Sequence, residues 1–283
     1  MNTIIVTDKC DTFENTILTD EVTKSIMGEL FEKYKKECIV LDLKVDNTIT
    51  PINSCVGGIP YYPKGSVYPY IDGHPLVLLC QINFSEMPKL VNFPTSGMLQ
   101  FFVDPEDQYD TSRFKVLYTK EVSIANHQPL PDDAKIAMEN KNKEVPYFGV
   151  FRVHGKLGET VAIPLNEREN IVKKLAIKYS ASTSAIEFQI DTTQAFFKAV
   201  SNYGGCPHYI QMEESFRDDI GNKDTLLLQL ASEEYSENEE KYPDGNDTNK
   251  MEWCDNGVGL FFINHDNLKN LDFSDIFYGI DTD

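Results

Sequence analysis

The chain has 283 residues, of which 41% are hydrophobic, and its 45 acidic and 26 basic residues give a net charge of −19. This length corresponds to one large β-rich domain or two smaller ones, and the aromatic content is sufficient for a packed core. The negative charge repels phosphate backbones and anionic lipid, so it argues against nucleic-acid and membrane partners. It favours either a basic protein partner or simply high solubility.

The six cysteines lie far apart and form neither a Cys-x-x-Cys pair nor a cluster with zinc-ligand spacing. The first residues lack a cationic segment followed by an apolar one, so no secretory signal is expected. No apolar run approaches the roughly 20 residues that span a bilayer. The sequence therefore predicts a cytoplasmic protein with reduced thiols and with no metal or cofactor.

Three segments have the pattern of helices and seven have the pattern of strands. The helices are predicted at 19–36, from about Asn166 with Glu169 completing a capping box, and at 192–202. The strands are short hydrophobic runs bounded by Pro or Gly, at 38–45, 76–84, 98–103, 114–118, 147–153, 225–230 and 259–263. The pattern predicts an α+β fold that is mainly β, with a few peripheral helices.

Three landmarks occur twice in the same order: a Gly-Gly-x-Pro turn, a leucine-rich run with one glutamine, and a Gly-led run with Phe-Phe. Pro60 precedes Gln81 by 21 positions, and Pro207 precedes Gln229 by 22. A glutamine in a buried run needs partners for its carbonyl and its N–H groups. Both glutamines are therefore predicted to bond neighbouring backbone, and a symmetric pair of ligand contacts is the alternative.

The repeat predicts an internal duplication in a single body of residues 1–283. The first pseudo-repeat covers about 50–120 and the second about 200–270. The second is longer because of residues 231–250, which hold seven acidic residues and two lysines. This composition predicts an acidic, solvated and mobile loop.

These motifs resemble the YwqG-like family, bacterial proteins of uncharacterised function. The similarity is carried by 54–60 (SCVGGIP), 72–84 (DGHPLVLLCQINF), 93–103 (FPTSGMLQFFV), 204–211 (GGCPHYIQ), 226–230 (LLLQL) and 253–263 (WCDNGVGLFFI). The resemblance implies a roll-like body of mixed or antiparallel sheets in a bacterial protein, and it implies no activity. Similar proteins are sometimes encoded beside toxin and immunity genes, which is an analogy for function only.

No phosphate-binding glycine loop, serine-nucleophile elbow or metalloprotease motif occurs in the sequence. Cys206 and His208 are a weak candidate for nucleophilic catalysis because no third group is evident to orient the histidine. Asp72 and Asp255 lie in Gly-containing turns, where an aspartate usually bonds local backbone. The candidate ligand-binding residues are Trp253, Asp255, Tyr61, Asp72, Gln81 and Gln229.

Two functions are consistent with these features. The first is a non-enzymatic binding protein with a basic protein partner, such as an immunity protein that neutralises a basic toxin domain. The alternative is a small-ligand-binding protein or an enzyme with its site in a cleft between the two repeats. The sequence favours the first, because it contains no recognisable catalytic constellation.

Overall fold

The computed structural model describes residues 4–5, 17–196, 199–211, 219–243, 245–254 and 256–282. Their contacts divide into two compact units. Unit 1 contains the described residues up to Lys36 and those from Glu159 to Phe196, and unit 2 contains Glu37–Gly158 and the described residues from Ala199 onwards. The sequence pattern, which predicts a single body of residues 1–283, does not indicate this division.

Helices and strands alternate irregularly along the described residues. The α-helices are α1 (Asp20–Tyr34), α2 (Asp132–Glu139), α3 (Leu165–Tyr179), α4 (Thr183–Phe196) and α5 (His265–Lys269), and single 3₁₀ turns occur at Phe84–Glu86 and Ile124–Asn126. The strands are β1 (Ile4–Ile5), β2 (Ile17–Leu18), β3 (Lys35–Val45), β4 (Cys55–Val56), β5 (Tyr70–Ile71), β6 (His74–Pro75), β7 (Val77–Asn83), β8 (Met98–Val103), β9 (Phe114–Thr119), β10 (Phe151–Val161), β11 (Asn202–Gly204), β12 (Thr225–Ala231), β13 (Glu233–Glu234), β14 (Asn249–Met251), β15 (Val258–Ile263) and β16 (Ile276–Asp281).

Unit 1 is helical, and its core forms where α1, α3 and α4 bury one apolar face each. Helix α1 confirms the first predicted helix, and Thr19 caps it by accepting a hydrogen bond from the backbone N–H of Val22. Helix α3 begins at Leu165 after Pro164, with no side-chain cap, so the predicted capping box at Asn166 is wrong.

Helix α4 also differs from its prediction. It begins at Thr183, nine residues earlier than the predicted start, and Asn202 belongs to strand β11 rather than to a helix. The early start has a local cause, because Ser182 Oγ accepts a hydrogen bond from the backbone N–H of Ala185. Ala185 and Ile186 then lie on the buried face of the helix.

Unit 2 is built on one ten-stranded sheet in the order β16-β15-β12-β11-β3-β10-β4-β7-β8-β9. The sheet is antiparallel and nearly closed, because aromatic rings from its two ends meet. The ring centroids of Phe114 on β9 and Tyr278 on β16 are 5.5 Å apart, and those of Phe101 and Phe261 are 4.8 Å apart. The predicted α+β, mainly β class is confirmed.

The two halves of this sheet share their strand order and their irregularities. Strands β7 and β8 change register between Leu78 and Cys80, and strands β12 and β15 change register between Leu226 and Leu228. Each bulge precedes the glutamine that recurs in the sequence. The Gly-Gly pairs of both halves have φ angles between 65° and 78°, a left-handed conformation that glycine adopts without steric cost.

The segment predicted as a solvated acidic loop, 231–250, packs against the sheet in part. Strands β13 and β14 pair within it, and Lys250 is only 2% exposed. Lys250 Nζ donates to Leu43 O at 2.9 Å and to Glu233 Oε1 at 2.7 Å, and it lies 2.8 Å from Glu239 Oε1. A charged ammonium needs such partners when it leaves water. The mobility of the segment stays a prediction.

The two carboxylates of this cluster differ in pKa. Burial acts to raise the pKa of Glu239, but hydrogen bonds from Lys250, Ser236 and Lys44 outweigh it and lower the pKa to about 2. Burial is the largest effect on Glu233 and raises its pKa, although Lys250 opposes this effect. Asp42, which pairs with Lys44, also raises the pKa of Glu233.

These directions predict opposite effects of pH at the two carboxylates. The stability that ionised Glu239 contributes is present above its ordinary pKa of 4.5 and is lost as pH falls towards 2. Glu239→Gln should therefore be less stable than the wild type at neutral pH, with a difference that narrows in acid. Ionised Glu233 lowers the stability of the wild type, and protonation removes this penalty as pH falls. Relative to the wild type, Glu233→Gln should therefore be most stable at neutral pH and should lose this advantage in acid. Urea unfolding between about pH 7 and about pH 3 measures both slopes, and parallel curves for the two variants would contradict the assignment.

Candidate functional site

Gln81 and Gln229 are buried at equivalent positions of the two halves of the sheet. Gln81 Oε1 accepts from the backbone N–H of Tyr61 at 3.0 Å, and Gln229 Oε1 accepts from the backbone N–H of His208 at 2.8 Å. Each acceptor therefore bonds the residue that follows the proline of a Gly-Gly-x-Pro turn. The predicted backbone hydrogen bonds of both glutamines are confirmed.

The N–H groups of the two amides are also taken by the protein. Gln81 Nε2 donates to the backbone oxygens of Pro51 and Asn53 at 2.9 and 2.7 Å. Gln229 Nε2 donates to Val200 O at 2.7 Å and to Asn202 Oδ1 at 3.2 Å. Each amide joins two backbone segments that flank its strand, and this role is structural.

Tyr61 lies against the Gln81 amide and is buried. Its hydroxyl pairs with the backbone of Ser123, and its ring stacks on His127 at a centroid distance of 6.1 Å. His127 Nδ1 accepts from the backbone N–H of Tyr62, and burial lowers the pKa of His127. The imidazole is therefore held as a neutral acceptor, which is a structural arrangement.

Trp253 is the largest fully buried side chain of unit 2. Its backbone N–H donates to Ser232 Oγ at 2.9 Å, and its indole Nε1 is buried and has no hydrogen-bond partner among the described residues. The indole packs on Gly259, where a Cβ atom would come within 2.5 Å of the ring. Asp255 lies outside the described residues, and the predicted ligand-binding roles of Trp253 and Asp255 stay predictions.

Asp72, by contrast, is on the surface. It occupies the turn between β5 and β6 with φ of 51°, and its side chain is 77% exposed. Arg113 Nη1 donates to Asp72 Oδ2 at 2.7 Å, and Arg113 Nε donates to the buried carboxylate of Asp104. Arg113 thus ties the β5–β6 turn to the loop that precedes β9.

The same loop, residues 104–113, reaches the turn that follows Trp253. The thiol of Cys254 donates to the hydroxyl of Tyr109 at 3.2 Å, and Gln108 Nε2 donates to that hydroxyl at 3.1 Å. The hydrogen bond with Cys254 is the main cause that raises the pKa of Tyr109. The loop therefore contacts Asp72 through Arg113 and Cys254 through Tyr109, although Asp72 and Cys254 are far apart in sequence.

We call the β5–β6 turn and the loop 104–113 together the acidic face and define it by Asp72, Glu106, Asp107, Tyr109 and Asp110. The turn at 70–75 and the loop at 104–113 hold five carboxylates and one arginine. Asp107 and Asp110 accept backbone N–H groups within the loop, which holds their carboxylates in place. Tyr109 lies between Asp107 and Asp110 in the loop, and 51% of its surface is exposed. Carboxylates in the same loop as an exposed aromatic ring suit a lysine or arginine side chain.

The sequence does not single out Tyr109, Arg113 or Lys250. For Tyr109 and Arg113, the sequence offers only the composition of residues 104–113 (DPEDQYDTSR). This segment contains four acids, one tyrosine and one arginine. Such a run is usually an exposed turn, so its composition alone carries little information. Its partners become visible only in the tertiary structure.

Cys206 is buried, and the backbone N–H of His208 is bound by Gln229. Burial lowers the pKa of His208, and the Asp281 charge opposes this effect. The Asp281 carboxylate accepts the backbone N–H groups of Ile210 and Gln211 at 2.8 and 3.1 Å. These bonds hold the chain after His208 against β16.

Among the described residues, no group of three or more His, Cys, Asp or Glu side chains is placed to hold a metal ion. Unit 1 contains an apolar pocket lined by Met27, Leu30, Phe31, Val161, Ala162, Ile163 and Ile190. No described helix combines the length and apolarity that crossing a membrane requires.

The fold and the acidic face define a mainly β protein with a nearly closed antiparallel sheet and a charged surface formed by its loops. Residues 54–282 match a family described as a domain of unknown function (DUF1963), and the chain belongs to that family. The match begins at Ser54, shortly before the first Gly-Gly-x-Pro turn, and it includes the acidic face. No curated protein matches the chain.

Proposed function

We propose that this protein is a non-enzymatic binding protein whose acidic face binds a lysine- or arginine-rich segment of a partner protein. The observation that carries the proposal is the loop 104–113, in which Glu106, Asp107 and Asp110 lie close in sequence to the half-exposed Tyr109. Arg113 ties this loop to Asp72. An aromatic ring supplies contact area and a cation–π interaction, and the carboxylates supply charge complementarity.

The net charge of −19 supports the same partner class. Long-range attraction between an acidic protein and a basic one raises the association rate, and this attraction weakens as salt is added. We further propose a bacterial cytoplasmic protein of the YwqG-like type, in which the partner is a basic toxin domain. The matched bulges and glutamines of the two halves support an origin by internal duplication.

A charge-reversal variant tests the acidic face. Asp107→Lys combined with Asp110→Lys is expected to weaken the binding of a labelled oligolysine peptide by about tenfold or more, since it places two cations beside Tyr109. The peptide's affinity for the wild type should fall with added salt. Fluorescence anisotropy at low and high salt measures both effects.

The matched control is Glu37→Lys combined with Glu121→Lys. Both glutamates are exposed, and this variant changes the net charge by the same amount. It should weaken peptide binding by no more than about twofold at moderate salt. Equal losses in the two variants would mean that net charge alone attracts the peptide, and the proposed site would then be rejected.

The second candidate function is a small-ligand-binding protein or an enzyme. The observation that favours it is that loop 104–113 joins Asp72 of the first pseudo-repeat to Cys254, beside Trp253 of the second. A compound that raises the Tm of the wild type but not of Tyr109→Ala would support it. A screen in which only polycations raise the Tm would support the basic partner instead.

A further inference from the structure

Two groups of side chains anchor the acidic segment of the second half of the sheet to unit 2. Its C-terminal end is also held by the backbone, because the Phe148 N–H donates to Lys250 O at 3.0 Å. We call residues 233–243 and 245–251 the strap. Four of its acids, Glu234, Glu237, Glu240 and Asp247, are exposed, as is Lys241. Its internal pairing is short, because β13 and β14 match at only two residue pairs. The strap therefore depends on its anchors for its position.

The first anchor is ionic and is centred on Lys250. Its Nζ has three oxygen partners, Leu43 O on β3 and the carboxylates of Glu233 and Glu239. Lys44 also reaches Glu239, at 2.9 Å. When one member of a buried ion pair leaves, the other remains desolvated and uncompensated, which is strongly unfavourable. The contacts of this anchor consequently form and break together.

The second anchor is aromatic and requires glycine at position 149. The Tyr242 ring lies directly on Gly149, where an added Cβ would come within 2.5 Å of Tyr242 Cγ. Tyr242 and Tyr235 both pack on the ring of Phe151, at centroid distances of 6.0 and 6.3 Å. Tyr235 also accepts the backbone N–H of Tyr242 through its hydroxyl, so the two rings move as a pair. Together they cover Phe151, which is fully buried.

We propose that the strap is a two-state latch that opens as one unit, with Lys250 leaving both glutamates while Tyr235 and Tyr242 leave Phe151. Opening is a local transition, distinct from unfolding of the sheet, because the sheet's own ladder does not include the strap. The open state exposes Phe151 and Gly149 and so presents an aromatic surface that the closed state hides. This device is independent of the acidic face and of the partner proposed for it.

Limited proteolysis measures the opening directly. Trypsin cleavage after Lys241 requires several flanking residues to leave the surface, so its rate reports the open population when closing is fast. Lys250→Met removes the ionic anchor, and Gly149→Ala removes the aromatic one without changing charge. Each variant is expected to raise the cleavage rate after Lys241 by about tenfold, while cleavage within the sheet changes little. Fragment masses identify the site.

Matched controls separate latch opening from general destabilisation. Lys120→Met removes an exposed lysine, and Gly28→Ala adds a Cβ where no atom lies within 4 Å. Neither should change cleavage after Lys241. The latch is refuted if both anchor variants, shown by circular dichroism to be folded, cleave at the wild-type rate. It is also refuted if cleavage rises equally throughout unit 2, because the strap would then open only with the sheet.

Discussion

Replacing Gln81 by leucine is expected to lower the free energy of unfolding by about 3–4 kcal/mol, near the upper end for single substitutions. The leucine would leave the backbone N–H of Tyr61 and the carbonyls of Pro51 and Asn53 without their present partners in a buried site. Gln100 Nε2, which donates to Gln81 Oε1 at 3.0 Å, would lose that partner as well. Urea unfolding should show a lower midpoint with an unchanged slope.

Gln229→Leu is the internal comparison for this prediction. It removes partners from the backbone of His208 and Val200 and from the Asn202 side chain, so a loss of about 2–3 kcal/mol is expected. Gln211 is exposed, and Gln211→Leu should change stability by less than about 0.5 kcal/mol. If Gln81→Leu were as stable as the wild type but lost binding to a partner, the amide would be a ligand contact rather than a structural one.

Replacing Gly259 by alanine is expected to destabilise the protein by about 2–3 kcal/mol through overpacking. The new Cβ would lie 2.5 Å from Cζ2 and 2.7 Å from Cη2 of Trp253, inside a core that cannot easily yield. Gly259 pairs with Leu230 on one side and with Ile280 on the other, and this pairing prevents the strand from moving away. Thermal and urea unfolding both report the loss.

A double-mutant cycle with Trp253→Phe identifies the cause. Phenylalanine lacks the atoms that the new Cβ would strike, so the double variant should be more stable than the sum of the single effects predicts, by about 1 kcal/mol or more. Trp253→Phe alone should cost about 1–2 kcal/mol, because it leaves a cavity but removes an N–H that has no partner among the described residues. Strictly additive losses would show that the two residues do not contact each other as described.

The hydrophobic runs predict the positions of most long strands of the sheet, because a buried strand is made of consecutive apolar residues. The predicted runs at 76–84, 98–103, 114–118, 225–230 and 259–263 coincide with β7, β8, β9, β12 and β15 to within three residues at each end. Burial on both faces makes β7, β8, β12 and β15 almost continuously apolar, and Pro or Gly residues mark the ends of the runs.

Strand β10 shows where the local signature fails. The sequence predicts a strand at 147–153, whereas the structure places it at Phe151–Val161. The added residues, including His154, Gly155, Lys156 and Gly158, have no hydrophobic pattern. Gly155 and Gly158 are instead required by closeness to β3, since a Cβ at either would lie 2.8 Å from Ile39 or Val40. Such a fit between strands distant in sequence is not encoded in the strand's own composition.

The sequence by itself determined the mainly β class, the positions of the principal strands and the two glutamines that bond backbone. These features follow from local apolar burial and from the hydrogen-bonding needs of a buried amide, which neighbouring residues reveal. Only the tertiary structure decided that Trp253 is core, that Lys250 is buried, and that Tyr109 and Arg113 organise a surface. The physical reason is separation along the chain. Arg113 and its hydrogen-bond partner Asp72 are 41 positions apart, and Tyr109 and its partner Cys254 are 145 positions apart. Strand order and register in the sheet bring those partners together.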